Sequence, residues 1–205
     1  MTVQPGMLRG PLLVGALLVA LAGCAQPDNA ASGGPVQTAG CATATSPPAM
    51  TIDGTPQPAN QEALDALAGR VEPVAKTRFA AVYTGLELRS AQNRLRVYRV
   101  PSGAFDKWLT GAFADDCIEV VDAAHSAREL NALVDRITGD IAYWTSQHIP
   151  IGTVSPRVDG SGVDVTTTQV ARASTALVQR YGTAVPITVT YGEPPALSLG
   201  TTSGK

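Results

Sequence analysis

The sequence predicts an α+β fold of two related halves, each running helix, strand, strand, helix, strand. Three observations carry that expectation. The octapeptides "LDALAGRV" at 64–71 and "LNALVDRI" at 130–137 nearly repeat one another. The same order of helical and period-two patterns follows each of them. The spacing also stays in step: Leu64 matches Leu130, Leu109 matches Leu177, Phe113 matches Tyr181 and Val120 matches Val189, with the offset drifting only from 66 to 69 residues. Chance similarity of two Leu/Ala-rich helices would not carry order and spacing along with it. Each half is near the lower size limit for a core of its own, so the halves are expected to pack together.

The first half spans 58–124 and the second 125–193. Asn60 caps a helix with Leu64, Leu67 and Val71 on one face, which Pro73 should end. The runs "RFAAVYTGLEL" and "RLRVYRV" alternate apolar and polar residues about the turn "RSAQN", as a hairpin does. Val82, Thr84, Leu86, Leu88, Leu95 and Val97 fall on its apolar side; Tyr83, Glu87, Arg94, Arg96 and Tyr98 fall opposite. Pro101 and Ser102 open a helix that turns Phe105, Trp108, Leu109, Ala112 and Phe113 inward, and "CIEVVDA" is the next strand.

In the second half, Ser126 and Glu129 form a capping box. Leu130, Val134, Ile137, Ile141 and Trp144 step by four and three, so one helix is expected to run past Gly139 to about Gln147. Asp159-Gly160 is a hairpin turn signal between "IGTVSPRV" and "GVDVTTT". A helix from about Thr168 to Tyr181 buries Val170, Ala173, Leu177 and Tyr181, and "VPITVTY" closes the half.

Ahead of the fold lies an address. Arg9 precedes the apolar run "PLLVGALLVALAG", too short and too small-residue-terminated for a spanning helix, so residues 1–23 read as a signal peptide. Leu21-Ala22-Gly23-Cys24 matches the lipobox, which makes Cys24 the expected lipidation site and the bilayer, on its extracytoplasmic side, the expected partner of its acyl chains. Residues 24–57 then read as a flexible linker, since Ala, Gly, Ser, Thr and Pro bury too little surface to offset ordering entropy. Residues 194–205 read as a disordered tail.

The whole chain of 205 residues has a formal charge of −2, which becomes −3 once Arg9 is removed with the signal peptide. A charge this close to neutral argues against a nucleic-acid binder, which needs a basic face. With Cys24 acylated, Cys41 and Cys117 remain as an even pair in an oxidising compartment, where a disulfide is expected. The alternative is a buried thiol at Cys117 and a separate one at Cys41.

Chemistry is sparse. His125, Ser126 and Asp122 are too close in sequence to aim at one another as a triad requires, and no G-x-S-x-G elbow occurs. His148 extends the apolar seam of the long helix just past its end, where a cation suits the dipole. Asp115-Asp116 reads as a solvated turn. No catalytic residues, metal ligands or cofactors are expected. The best binding surface is the stripe Tyr83, Arg94, Arg96 and Tyr98, because Tyr and Arg bury large area while keeping polar ends.

Two resemblances meet these residues. The α-β-β-α-β repeat over 58–192, on an acylated chain with "GVDVTTT" before a helix, resembles the dual BON-domain lipoproteins of bacterial envelopes. That implies small sheets covered by helices and an envelope-maintenance role involving anionic phospholipid. The runs "VVDAAHSARELNALVDRI", "VDGSGVDV", "ALVQRYG" and "VPITV" are similar to the pro-regions of streptogrisin- and α-lytic-type serine proteases. This implies pairing of a strand with a secreted protease. Unlike those pro-regions, this sequence is expected to carry a lipid anchor and no protease behind "GEPPALSLGTTSGK". The expected function is a non-enzymatic lipoprotein that binds another protein through a sheet face or edge strand. The alternatives are BON-like lipid recognition and, more distantly, hydrolysis.

Overall fold

The computed structural model describes residues 36–193. The expected signal peptide 1–23, the lipidation site Cys24, the first part of the linker and the tail 194–205 lie outside the described residues. The chain is α+β. The described residues open with β1 (Val36–Gln37), a 3₁₀ turn (Ala39–Ala42) and a ribbon of β2 (Ala49–Ile52) and β3 (Thr55–Pro58). The first half follows as α1 (Gln61–Arg78), β4 (Tyr83–Arg89), β5 (Arg94–Arg99), α2 (Gly103–Ala112) and β6 (Ile118–Asp122). The second half comprises α3 (Ala127–Gly139), α4 (Ile141–Ser146), β7 (Ile151–Pro156), β8 (Val163–Thr167), α5 (Val170–Tyr181) and β9 (Ile187–Tyr191).

The halves share a topology. In each, the hairpin strands are antiparallel and the last strand returns parallel to the second, in the orders β4-β5-β6 and β7-β8-β9. Val97 stands beside Val120 as Val165 stands beside Val189, so the expected match of Val120 with Val189 holds at the level of register. Leu64 and Leu130 are both the fourth residue of their helices.

Each half builds its own core. In the first, α1 and α2 lay Val71, Phe105 and Leu109 on Leu95, Val97, Ile118 and Val120. In the second, Leu130, Ile137, Trp144 and Leu177 cover Val163 and Val165. Phe105 and Leu109 are fully buried, which contributes about 1.5–3 kcal/mol each. The halves meet through the turn between β7 and β8. Gly160 (φ +75°) lies so close to Ala123, Thr84 and the His125 carbonyl that a Cβ there would stand 2.7–2.9 Å from them. Thr84 Oγ1 donates to the His125 carbonyl at 2.7 Å across the same joint.

Several expectations need correction. Pro73 lies inside α1 and does not end it. Its ring is on the exposed face, where the Gly69 carbonyl it cannot satisfy meets water, and fully buried Ala75 holds the next turn down. The long helix of the second half divides at Asp140 (φ −93°, ψ +11°). Gly139 weakens the helix, and Asp favours non-helical backbone. Ala112 is exposed rather than inward. His148 is also exposed, with φ +56°, and Ile149 takes the buried place after the helix.

The linker reading of 24–57 fails for its described part. Residues 36–43 dock on β6, with Val36 opposite Val120 and Gln37 opposite Glu119. Thr38 is 3% exposed there. A segment poor in apolar side chains needs no core of its own when it satisfies a sheet edge through its backbone.

Tyr83 is the remaining correction. The strand starts five residues later than its pattern suggests, because Arg78 completes α1 and a turn holds 79–82. A register shift between Tyr83 and Gly85 then rotates Tyr83 to the helix side, where it is 2% exposed.

Candidate functional site

The expected stripe therefore divides. Tyr83 belongs to the core, and burial beside Glu72 pushes its phenol up. Arg94, Arg96 and Tyr98 do share the face of the first sheet opposite its helices, as alternate residues of β5 must, but Tyr98 is buried there. They do not form a free cationic surface. Glu119 on β6 accepts from Arg96 Nε and Nη2 at 3.1 and 3.0 Å, and lies 3.8 Å from Arg94 Nη1. The Tyr98 hydroxyl donates to Glu87 at 3.1 Å. Gly85 on the same face lies under Val158, where a Cβ would approach to 2.7 Å. The second half thus covers one end of the stripe, and paired carboxylates neutralise the rest.

On the helix side, Arg99 is 4% exposed and donates to Asp106 through Nε and Nη2, and to Asp122 through Nη1. Burial opposes its cation, but the hydrogen bonds to Asp106 and Asp122 outweigh that and raise its pKa. Asp122 is thereby committed to Arg99. Ser126 Oγ is committed to its capping box, accepting from the Glu129 amide at 3.3 Å while the Ser126 amide donates to Glu129 at 2.8 Å.

The sequence reading missed a polar cluster at the α3–α4 break. Trp144 Nε1 donates to the Tyr181 hydroxyl at 2.9 Å, which donates to Asp140 at 2.8 Å. Arg180 Nε donates to the same carboxylate oxygen at 2.8 Å, and its guanidinium lies 4.0 Å from the centre of the Tyr143 ring. Arg180 and then Tyr181 hold the Asp140 carboxyl below the usual carboxylate range. A groove of about 640 Å³ adjoins it, lined by Gln147, Arg172, Thr175 and Gln179 with Tyr143. Arg172 donates to the Gln147 carbonyl. The cluster locks two helices together. Nothing local in sequence could reveal it, because Asp140 and Arg180 stand 40 residues apart.

The disulfide reading identifies a second feature. The sulfurs of Cys41 and Cys117 lie at disulfide distance and fasten the docked segment to the start of β6. Beside that pair, the Thr38 amide donates to the Ile118 carbonyl at 3.0 Å, and Thr38 Oγ1 accepts from the Ile118 amide at 2.8 Å. The outward backbone groups of Ile118 are thus used, and Val120 beside them pairs with Val36.

The matching edge of the second half is different. No described strand pairs with the outer side of β9. The Pro186 carbonyl accepts from Val163, and the Gly192 amide donates to Thr167. By alternation, the amides and carbonyls of Ile187, Val189 and Tyr191 therefore point away from β8. Natural sheets blunt such edges with charge, bulges or internal proline. β7 has a register shift and Pro156, while β4 has a shift with Glu87 and Arg89. The five residues of β9, "ITVTY", have none of these. Tyr191 is 68% exposed.

Among the described residues, no group of three or more His, Cys, Asp or Glu could hold a metal ion, and no helix is long and apolar enough to cross a membrane. The chain matches no known family model and no curated protein.

Proposed function

We propose that this chain is a membrane-anchored extracytoplasmic lipoprotein that works by binding, not by turnover, and that it takes a protein strand along the outer edge of β9. The lipobox at Cys24 supports the anchor. The contrast between the edge of β6, on which β1 lies, and that of β9, on which no described strand lies, carries the binding mode. In strand addition, main-chain hydrogen bonds supply affinity and alternate side chains supply selectivity. The neutralised arginines and the partial cover from Val158 argue against the open face as the primary surface. Commitment of Asp122 to Arg99 and of Ser126 to Glu129 argues against hydrolysis at His125.

Two measurements test this. Radiolabelled palmitate incorporated by producing cells should be lost on Cys24→Ser. Immobilised full chain should retain an envelope or secreted protein, a serine protease among the candidates. Val189→Pro, which removes an outward amide at a position where an edge tolerates proline, should abolish retention without lowering Tm. Loss of retention on Arg96→Glu with Tyr98→Ala would move the site to the sheet face. Retention of anionic liposomes alone would replace protein binding with lipid recognition.

A further inference from the structure

The outer edge of β9, unpaired among the described residues, is self-complementary, and we propose that its occupant is β9 of a second copy, the two strands running antiparallel about a two-fold axis through Val189. This rests on the reading of β9 as a docking edge and names the partner.

The backbone sets the register. Ile187, Val189 and Tyr191 present their amides and carbonyls outward, and Thr188 and Thr190 present theirs to β8. Antiparallel strands exchange hydrogen bonds only between outward residues. With Val189 opposite the second copy's Val189, Ile187 falls opposite its Tyr191 and Thr188 opposite its Thr190. Every outward group then has a partner, giving about six backbone hydrogen bonds. Pro186 does not interfere, because its carbonyl accepts from Val163 on the inner side.

The side chains agree with that register. On the helix side, Tyr191 lies against Ile187 of the other strand, an aromatic–β-branched pair, and the most exposed large side chain of the strand gains cover. On the open side, threonine meets threonine. No charge is opposed anywhere along the strand. The first half shows the same solution within one chain: β1 runs antiparallel on β6, with Val36 opposite Val120, the counterpart of Val189. Pairing through β9 would join two three-stranded sheets into one.

Cysteine cross-linking tests the axis directly. Facing residues of a hydrogen-bonded antiparallel pair have Cα atoms roughly 5.5 Å apart, within the roughly 4.4–6.8 Å that a disulfide spans. Full chain carrying Val189→Cys, in the membranes of the cells that make it, should form a dimer on mild oxidation. Thr175→Cys, exposed on α5, should not. Adding Thr188→Lys with Thr190→Lys, both exposed positions, places like charges opposite each other and should remove the dimer. Co-expression with a chain carrying Val189→Cys, Thr188→Glu and Thr190→Glu should restore it as a mixed dimer. A Val189→Cys chain that stays monomeric, or a cross-link indifferent to the lysines, overturns the self-pairing. A cross-link from Val189→Cys to a different protein overturns it too, while leaving strand addition at β9 in place.

Discussion

Thr38 closes the outer edge of the first sheet by bonding both backbone groups of Ile118: its amide donates to the carbonyl, and its hydroxyl accepts from the amide. The hydroxyl therefore does the work of the strand residue that β1 is too short to supply. Thr38→Val keeps the shape and removes the acceptor, leaving the Ile118 amide buried and unsatisfied. The expected cost is about 1–3 kcal/mol, read as a lower urea midpoint with an unchanged m-value.

The Cys41–Cys117 link joins positions 76 residues apart. Chain entropy assigns a loop of that length roughly 4–5 kcal/mol of stabilisation. Replacing both cysteines with alanine should lower stability toward that amount. Amide exchange should accelerate first in β1 and β6, while β7–β9 stay protected. Uniform acceleration across both sheets would contradict two separately built cores.

Gly160 joins the halves. It combines φ +75° with contacts that leave no room for a Cβ. Gly160→Ala should cost more than about 1 kcal/mol, from strain and from separation of the turn from Ala123 and Thr84. The thermal transition should broaden or split as the two cores lose their contact. A sharp transition at unchanged Tm would show that the turn does not couple them.

Acid should act first on the second half, where Glu129, Asp140 and Asp159 all have lowered pKa values. Hydrogen bonds from the Ser126 amide and hydroxyl, from Arg180 and Tyr181, and from the Ser161 hydroxyl and amide hold the respective carboxylates ionised. For depressed carboxylates the stabilisation is complete above the unfolded values of about 3.9–4.3 and is lost as pH falls through the lower folded values. Stability should therefore be flat from neutrality to about pH 5 and fall below about pH 4. Asp140→Asn should lower the plateau and make the acid limb shallower, as followed by urea unfolding at fixed pH values.

The α+β class, the repeated element order, the capping box at Ser126 and the hairpin at Asp159-Gly160 were legible in the sequence, because each rests on local periodicity or turn chemistry. So was the matching of Val120 with Val189, which depends only on spacing. Tyr83 was assigned to the wrong face because a single register shift inverts side-chain direction, and no local pattern marks it. The Asp140–Arg180 pair was invisible because its members meet only after both helices pack.

By itself the sequence determined the order of helices and strands in the two halves, since backbone periodicity is written locally. The tertiary structure alone decided that residues 36–43 dock on one sheet edge, that Glu119 neutralises Arg94 and Arg96, and that no described strand covers β9 where β1 covers β6. Each depends on which backbone groups and charges meet across long stretches of chain, and hydrogen bonds and ion pairs form only between groups that folding has brought together.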